Sequence, residues 1–248
     1  MNWHVRYQQQ ARWTRNTRAY LLKRAGVDSA KRVLEVGCGT GALWEHFPLP
    51  PGTSAHGLDL NQDSAKQAAA NAPGLLAVNA AGEFLPYPPA CFDLVFCHYL
   101  LLWVKNPAQI LNEMARVTRP GGAVLALAEP DHAARIDAPP ALQPLGAWQT
   151  QALTRQGINP RMGRELAGAF AEAGIPLIEN GVIGGGWGAP TAQETELEWA
   201  VLESDLAGQV TERDIRQMKA LDLQARANAS RVLFVPTFYA WGRVADGV

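Results

Sequence analysis

The residues best suited to chemistry lie between Glu35 and Gly41, where the chain reads E-V-G-C-G-T-G. Glycines at alternate positions allow positive φ and let the backbone come close to a ligand, because no Cβ stands in the way. Asp59 follows twenty residues after Gly39 and can accept hydrogen bonds from both hydroxyls of a ribose. A simple tight turn would need one glycine rather than three, so this spacing predicts a nucleotide-binding site.

These residues need elements that place them side by side. A short apolar run, Val33 to Val36, is typical of a strand buried in a parallel sheet, and residues 42–47 are predicted to begin a helix after the glycines. Ala55 to Leu60 predicts a second strand, with Asp59 at its carboxyl end. Open α/β sheets bind ligands at the carboxyl ends of their strands, so the glycines and Asp59 are expected to lie together.

The glycine segment differs from a dinucleotide fingerprint, because its third glycine comes one residue early. The pattern E-x-G-x-G-x-G resembles the first motif of the class I S-adenosylmethionine (SAM) dependent methyltransferases. Two later segments, Phe92-Asp93-Leu94-Val95 and Arg119-Pro120-Gly121-Gly122, also resemble landmarks of that family and occur in the same order. The resemblance covers roughly residues 31–129 and is to the small-molecule, methyltransferase-11-like type.

The resemblance implies SAM as the cofactor and gives its contacts. The glycine backbone would hold the methionyl part, Glu35 would orient the ammonium group, and Asp59 would bind the ribose beside Leu60. Ala81 stands where the family often has an aspartate, so adenine recognition would pass to backbone groups near Gly82 or to Asn79. The predicted cofactor-binding residues are Glu35, Gly37, Cys38, Gly39, Gly41, Asp59, Leu60, Gly82, Glu83, His98, Tyr7 and Trp13.

A catalytic base is needed only if the methyl acceptor must lose a proton. The candidates follow strands at their carboxyl ends and are His98, Tyr99, Glu129, Asp131 and His132. His98 is the predicted catalytic residue, expected beside the transferred methyl group. It could act as the base, bind the cofactor carboxylate or simply pack, whereas Asp131 and His132 are expected at the surface. The sequence predicts no metal site.

Composition limits the class of protein. At 248 residues, with 48% apolar and 18% charged residues, the chain is expected to form one large domain with a substantial core. The net charge of −1 argues against a nucleic-acid binder with a broad basic face. Three scattered cysteines predict free thiols, and no apolar run resembles a signal or a membrane span, so a cytoplasmic protein is expected. Its oligomeric state, monomer or homodimer, stays open.

The alternation of strands and helices predicts an α/β fold in three layers, with a Rossmann-like, mostly parallel sheet and helices on both faces. The family resemblance implies seven strands, the last of them, residues 232–244, antiparallel and inserted between its neighbours. Helices are expected at residues 12–25, 64–71, 107–117, 142–156, 163–173, 195–206 and 212–228. The glycine-rich segment 184–188 is predicted to be a turn without a cofactor.

Four segments are predicted within the single domain. Residues 1–30 would form an N-terminal helical cap, and residues 31–129 would form the SAM-binding core. Residues 130–162 are proline-rich and weakly periodic, which indicates an inserted lid. Residues 163–248 would complete the sheet and the cap.

Three functions are compatible with these residues. The first is SAM-dependent methyl transfer to a small, partly apolar acceptor by in-line displacement. The second is an NAD(P)-dependent oxidoreductase, which the glycine spacing and the later landmarks disfavour. The third is a methyltransferase-like fold kept as a non-catalytic binding partner, and the intact Glu35, glycines and Asp59 argue against it, because a silent site has no need of them. After the fourth strand the chain reads C-H-Y-L rather than the N-P-P-[YF] tetrad of amino-group methylases acting on DNA bases or glutamine. The attacked atom, O, N, C or S, stays open.

Overall fold

The fold comes from a computed structural model that describes residues 2–47, 49–184 and 190–245. A main sheet contains β1 (Arg32–Val36), β2 (Ser54–Asp59), β3 (Leu75–Asn79), β4 (Phe92–Cys97), β5 (Thr118–Pro130), β7 (Leu177–Val182) and β9 (Thr237–Arg243). Two shorter strands, β6 (Ile136–Ala138) and β8 (Val232–Phe234), pair with each other apart from it. The described residues also form helices α1 (Trp3–Trp13), α2 (Arg15–Ala25), α3 (Gln62–Asn71), α4 (Pro107–Val117), α5 (Gln143–Arg155), α6 (Met162–Glu172), α7 (Ala192–Leu206) and α8 (Glu212–Ala227).

The main sheet has seven strands in the order β3-β2-β1-β4-β5-β9-β7. The pairs from β3 to β5 are parallel, and β9 is antiparallel to both of its neighbours. The predicted seven-stranded, Rossmann-like sheet with an inserted antiparallel strand is therefore confirmed. The single strand expected at residues 232–244 is wrong in one respect, because it is divided into β8 and β9. Pro236 lies between them and has no N–H to continue a sheet.

The central strands are apolar on both sides because helices cover both faces of the sheet. Leu34, Val95 and Val124 contribute to one hydrophobic cluster, which also contains residues of α4 and α6. The alternate positions, among them Val33 and Leu125, contribute to a second cluster with residues of α2. Side chains of a strand point alternately to its two faces, so these continuous apolar runs make a three-layer core.

The N-terminal helix predicted at residues 12–25 is instead two helices, α1 and α2, that meet at Thr14. The hydroxyl of Thr14 donates a hydrogen bond to the carbonyl of Ala11 at 3.4 Å, which interrupts the backbone pattern. Arg18, which is buried, donates a second hydrogen bond to the same carbonyl at 2.9 Å. Its guanidinium thus replaces the backbone N–H that this carbonyl would bond in a continuous helix. The break turns α1 across the carboxyl ends of the strands.

The helix expected directly after the glycines does not form. Residues 44–46 make a single 3₁₀ turn, and Phe47 is already extended, with φ −80° and ψ 123°. Phe47 precedes Pro48 in the sequence, and a proline disfavours helical geometry in the residue before it. Trp44 and Phe47 pack against each other and against Phe96, with ring centroids 4.7–5.8 Å apart, so the segment is fixed by core packing.

A cap covers the cavity side of the sheet. Helices α5, α7 and α8 share a hydrophobic cluster of their own that includes Leu145, Trp199 and Leu206. The helix predicted at residues 142–156 is present as α5, although the division of the chain into core, lid and completion stays a prediction. Of the predicted turn at 184–188, only Gly184 lies within the described residues. No helix in the described ranges is long and apolar enough to span a bilayer.

Candidate active site

A cavity of about 1150 Å³ lies at the carboxyl ends of β1, β2 and β4. Its walls come from the glycine loop (Gly37–Gly41), from α1, from the segment after β4 and from the cap helices α7 and α8. Pockets for one small molecule typically measure roughly 300–1,000 Å³. This cavity therefore has room for two small molecules held next to each other.

The structure brings the predicted cofactor-binding residues together. All of them except Gly41 line this one cavity, namely Glu35, Gly37, Cys38, Gly39, Asp59, Leu60, Gly82, Glu83, His98, Tyr7 and Trp13. A Cβ on Gly41 would lie 3.0 Å from Cα of Ala68 in α3, so this glycine instead lets the loop pack against that helix. Residues more than ninety positions apart in sequence thus share one site.

Backbone conformation makes the glycine loop a cradle. Gly37, Gly39 and Gly41 have φ angles of 77°, 52° and 79°, in the left-handed region that favours glycine. A Cβ on Gly37 would lie 2.8 Å from Cδ1 of Leu100, and one on Gly39 would lie 3.2 Å from the ring of Tyr7. The loop can therefore carry no side chains at these positions, and its backbone faces the cavity.

Asp59 fixes the loop to the end of β2. Its Oδ2 accepts a hydrogen bond from the Gly39 amide at 2.8 Å, and its Oδ1 accepts one from the Asn61 amide at 2.8 Å. A carboxylate has about four acceptor positions, so each oxygen keeps capacity for a ligand. The side-chain amide of Asn79 donates hydrogen bonds to the carbonyls of Asp59 and Leu60, at 3.0 and 2.8 Å, and so holds the backbone at the end of β2.

Glu35 is a buried acid with an unused oxygen. Its relative exposure is 2%, and its Oε2 has no hydrogen-bond partner among the described residues. Burial raises the pKa of Glu35 to about 8, against smaller lowering effects of Trp44 and Arg18. A buried acceptor without a partner is costly in a folded protein, which indicates that this oxygen receives a ligand.

His98 belongs to a hydrogen-bonded chain at the same strand ends. Its Nε2 lies 3.0 Å from Oγ1 of Thr14, which in turn accepts a hydrogen bond from Nη1 of Arg18 at 2.9 Å. Burial, followed by the nearby Arg18 charge, lowers the pKa of His98 to about 3. The imidazole is therefore neutral at pH 7. Thr14 was not among the predicted site residues, because nothing in the sequence links it to a histidine 84 positions away.

Glu129, a candidate base by sequence, supports the loop after β4. Its Oε1 accepts hydrogen bonds from the amides of Leu100 and Leu101, at 3.0 and 2.9 Å, and its Oε2 accepts one from Leu102 at 3.2 Å. Burial raises its pKa to about 7, although these amides favour the ionised form. Both oxygens of Glu129 therefore accept hydrogen bonds from the backbone that directly follows His98 and Tyr99 and holds them in place.

Two expectations for the start of the lid are wrong. Asp131 is not at the surface, since it is 1% exposed and forms an ion pair with Arg164. His132 lines the cavity, and its Nδ1 is buried without a partner among the described residues. The chain turns inward here because the Asp131 amide donates a hydrogen bond to the carbonyl of Pro236, at 2.7 Å, between β8 and β9.

The cap adds a charged network that the sequence did not predict. Asp222 accepts hydrogen bonds from Trp199 at 2.9 Å and from Arg226 at 2.7 Å, and it also pairs with Arg231. Arg231 extends the network to Asp137 at 2.7 Å. Within the described residues, no group of three His, Cys, Asp or Glu side chains is placed to hold a metal ion.

Comparison with known proteins explains this arrangement. The family described as "Methyltransferase domain" matches residues 34–126, which run from β1 to β5. A malonyl-[acyl-carrier protein] O-methyltransferase of Pseudescherichia vulneris is 32% identical over 118 residues, 48% of this chain and 47% of that protein. A human thiol S-methyltransferase is 39% identical over 106 residues, 40% of this chain and 43% of that protein. Residues 34–126 therefore match a methyltransferase domain, and the relatives that share this region are methyltransferases.

Solved structures extend the likeness of fold beyond the family domain. A putative methyltransferase from Bacillus halodurans superposes with a TM-score of 0.63 at 18% identity, over 92% of this chain and 98% of that one. A [4+2]-cyclase superposes with a TM-score of 0.59 at 18% identity, over 94% of this chain and 81% of that one. The chain spans about half the length of the curated relatives it matches, so its own activity must be argued from the site.

The hydrogen-bond acceptors of the site fit the donor groups of SAM. A free buried carboxylate oxygen on Glu35 suits an ammonium group, and the remaining acceptor positions of Asp59 suit ribose hydroxyls. The glycine cradle leaves space for an extended chain between these two acids. The loop contains no lysine of the kind that binds phosphates, which agrees with a cofactor that has none.

Proposed function

We propose that this methyltransferase binds SAM at the glycine loop and transfers its methyl group to a small, partly apolar molecule in the same cavity. One observation carries the proposal: Glu35, the glycine cradle and Asp59 open side by side into a cavity large enough for two ligands. The coarse family assignment supports the cofactor. The size of the cavity supports a small-molecule acceptor.

Individual cofactor contacts follow from the groups that each residue presents. Glu35 would hold the ammonium, the backbone from Gly37 to Gly39 would hold the methionyl chain, and Asp59 would hold the ribose. Leu60 would lie along the adenine, whose edge would meet backbone groups of Gly82 and Glu83. Tyr7 and Trp13 of α1 would cover the site, and Cys38 would contribute its backbone, since burial raises the pKa of its thiol well above the usual range.

The chain contributes positioning and exclusion of water. When bound, the cofactor supplies an electrophilic methyl group on a sulfonium. Displacement needs the acceptor atom about 3 Å away and in line, which is a matter of placement rather than covalent help. Helix α1 lies over the strand ends on one side, and the cap helices close the other, so both ligands would be held away from bulk water.

His98 and Tyr99, the two polar side chains that follow β4, are poor bases at neutral pH. Burial, with a smaller effect of Arg18, lowers the pKa of His98 to about 3, and burial raises the pKa of Tyr99 to about 12. A useful general base has a pKa near the working pH. We therefore assign His98 a positioning role, through a hydrogen bond to the cofactor.

The first test concerns cofactor binding. Asp59→Ala is expected to weaken binding of S-adenosylhomocysteine about 10- to 100-fold, the effect of removing a charged acceptor of buried hydroxyls. Isothermal calorimetry measures this, with NADH as a competing candidate. Asp63→Ala is the matched control, because Asp63 is exposed at the start of α3 and lies outside the cavity. An affinity within twofold of the wild type would show that Asp59 does not bind the ribose, and uptake of NADH alone would replace the proposal with an oxidoreductase.

His98→Gln separates the two roles of the histidine without a known acceptor. If His98 positions the cofactor, the substitution should raise the dissociation constant of S-adenosylhomocysteine roughly tenfold, because one hydrogen bond is lost. As a base it would leave that constant unchanged, since it would act only on the acceptor. Calorimetry of the variant beside the wild type decides between them.

Location and partners follow from the same features. We infer a cytoplasmic enzyme that acts on a small molecule, without nucleic acid or a membrane as its partner. Cys38 and Cys97 are buried as free thiols, which supports a reducing compartment. Fractionation of cells that produce the protein, with detection in the soluble fraction, checks the location.

A further inference from the structure

The wall of the cavity is rich in arginine. Arg6, Arg135, Arg226 and Arg231 all line it. Three of these guanidinium groups are already neutralised. Arg135 pairs with Asp137 at 2.7 Å, Arg226 pairs with Asp222 and Glu198, and Arg231 pairs with Asp137 and Asp222. Three arginines and three carboxylates therefore form a closed, neutral network.

Arg6 differs from the other three. Its Nη1 donates a hydrogen bond to Oε1 of Gln9 at 2.6 Å, and its guanidinium lies 4.8 Å from the ring centroid of Trp13. It forms no ion pair with any residue that the structure describes. A guanidinium carries five N–H donors, so most of its hydrogen-bonding capacity is left for a ligand. Burial lowers the pKa of Arg6, but an arginine side chain stays charged at neutral pH.

The geometry keeps this charge in place. Gln9 is fully buried, and its Nε2 donates a hydrogen bond to the carbonyl of Glu194 in α7 at 3.4 Å. Gln9 thus ties Arg6 to the cap, while Trp13 supports the guanidinium through its ring face. A held, planar fork of donors is suited to bidentate binding of an oxyanion.

Two further polar groups lie at this end of the cavity. Tyr99 and His132 both line it. Burial raises the pKa of Tyr99 and lowers that of His132, and the charge of Arg6 acts to lower both. The buried Nδ1 of His132 has no partner among the described residues. Tyr99 has a φ of 54°, an unusual value for a residue with a side chain, and backbone strain of this kind clusters at active and ligand-binding sites. These groups give the arginine pocket additional hydrogen-bonding partners.

The acids near Arg6 do not neutralise it. Glu198 is held by Arg226 at 2.9 Å. Asp205 accepts a hydrogen bond from Gln149 at 2.9 Å, and burial raises its pKa, which disfavours its charged form. Neither acid comes within ion-pair distance of Arg6. The positive charge is therefore available to a molecule in the cavity.

Most of the remaining wall at this end is apolar. It is formed by Leu145, Leu153, Ile183, Trp199, Leu202 and Val235. A ligand that satisfies both parts of the wall needs an apolar body and one negative group. We propose that the methyl acceptor is an amphipathic oxyanion, a carboxylate or a phosphate ester, whose negative group binds Arg6 while its apolar body lies against the cap. This inference rests on the proposed function, and it assigns Arg6 as the residue that selects the acceptor.

The test compares ligands of the same shape and different charge. The probes are 2-naphthoate, 2-naphthyl phosphate, 2-naphthamide and 2-naphthylmethylammonium, titrated by calorimetry into the protein with and without S-adenosylhomocysteine. An oxyanion is expected to bind on the order of 10- to 100-fold tighter than the amide, since charge-assisted hydrogen bonds to Arg6 are formed by the anion alone. The ratio of naphthoate to naphthyl phosphate shows which oxyanion the site prefers.

Three variants assign this preference to one residue. Arg6→Met keeps the apolar stem and should abolish the preference for the anions, while Arg6→Lys should retain part of it. Arg12→Met is the matched control, because Arg12 lies on the same helix, pairs with Glu194 and does not line the cavity. It should bind the anions as the wild type does. Circular dichroism of each variant shows that the fold is kept.

Several results would overturn the proposal. Equal binding of anion and amide by the wild type, including no measurable binding of either, contradicts it. The same holds if Arg6→Met keeps the preference, or if the ammonium probe binds best, which would point to Asp205 instead. This outcome can be told apart from failure of the proposed function. Failure of the proposed function would appear as loss of S-adenosylhomocysteine binding at the glycine loop, whereas the anion preference is also measured in the absence of S-adenosylhomocysteine.

Discussion

Asp222→Ala is expected to lower the free energy of unfolding by about 3–5 kcal/mol, the usual cost of removing one partner from a buried ionic network. The carboxylate side chain is 2% exposed, and the side chains of Arg226 and Arg231 are 16% and 6% exposed. Without Asp222, both guanidinium groups and the indole N–H of Trp199 would lose a partner in the interior. Urea unfolding followed by circular dichroism measures the change.

A control on the same helix separates this effect from a general loss of charge. Glu212 pairs with Arg216 at 3.1 Å, and both side chains are exposed. Exposed pairs of this kind contribute little, so Glu212→Ala should change the free energy of unfolding by about 0.5 kcal/mol or less. A similarly small change for Asp222→Ala would show that the network does not hold the cap.

The same carboxylate gives the cap a pH dependence. Burial alone would raise the pKa of Asp222, but hydrogen bonds from Trp199, Arg226 and Arg231 outweigh it and hold the pKa below its ordinary value. A group whose pKa is lower in the folded state stabilises the protein at neutral pH, and that stability is lost as the pH falls through the folded pKa. Below about pH 4, the free energy of unfolding should therefore decrease less steeply with falling pH in Asp222→Ala than in the wild type.

The core of the fold could be predicted because its signals are local. Val33 to Val36 is a continuous apolar run, the glycines follow it directly, and Asp59 ends the next run. Each feature identifies a strand or its carboxyl end without reference to the rest of the chain, and parallel topology then brings those ends together. This is why the glycine loop and both acids lie in one cavity, as expected.

The parts that sequence reasoning missed depend on contacts between distant residues. Thr14 contacts His98 across 84 positions, and Trp199 contacts Asp222 across 23 positions between two cap helices. Neither pair follows a helical or strand spacing. Other misses had a local signal, since Pro236 is present to divide the last strand and Pro48 to stop a helix after Trp44. At both places proline overrides the apolar periodicity.

Affinity for S-adenosylhomocysteine is expected to increase as the pH rises from 6 to 8, by up to about tenfold per unit. Burial raises the pKa of Glu35 to about 8, so Glu35 is protonated in most molecules of the free protein at pH 6. An ammonium group favours the ionised carboxylate, and binding must therefore displace the proton. Below the raised pKa, each unit of pH makes that displacement more costly.

Stability of the free protein should change with pH in the opposite direction. A carboxyl group with a raised pKa in the folded state stabilises the protein fully below its unfolded pKa. That contribution is lost as the pH rises towards about 8, because the ionised form must then be kept in an apolar site. The free energy of unfolding of the free protein should consequently contain a component that decreases between pH 5 and 8, while the affinity for the ligand increases.

Titration calorimetry of Glu35→Gln beside the wild type tests the effect on binding, and urea unfolding of the two free proteins at pH 5 and 8 tests the effect on stability. Glutamine keeps the shape of the side chain but does not titrate, so the variant should bind S-adenosylhomocysteine weakly and with the same affinity at pH 6, 7 and 8. Titration of the wild type at pH 6.5 in two buffers of different ionisation enthalpy should show release of about one proton per ligand bound, and the variant should release none. An affinity of the wild type that is flat from pH 6 to 8, without proton release, would show that Glu35 does not meet the ammonium group. The free Oε2 beside the glycine loop would then have to receive a water or the acceptor, since a buried carboxylate oxygen requires some partner.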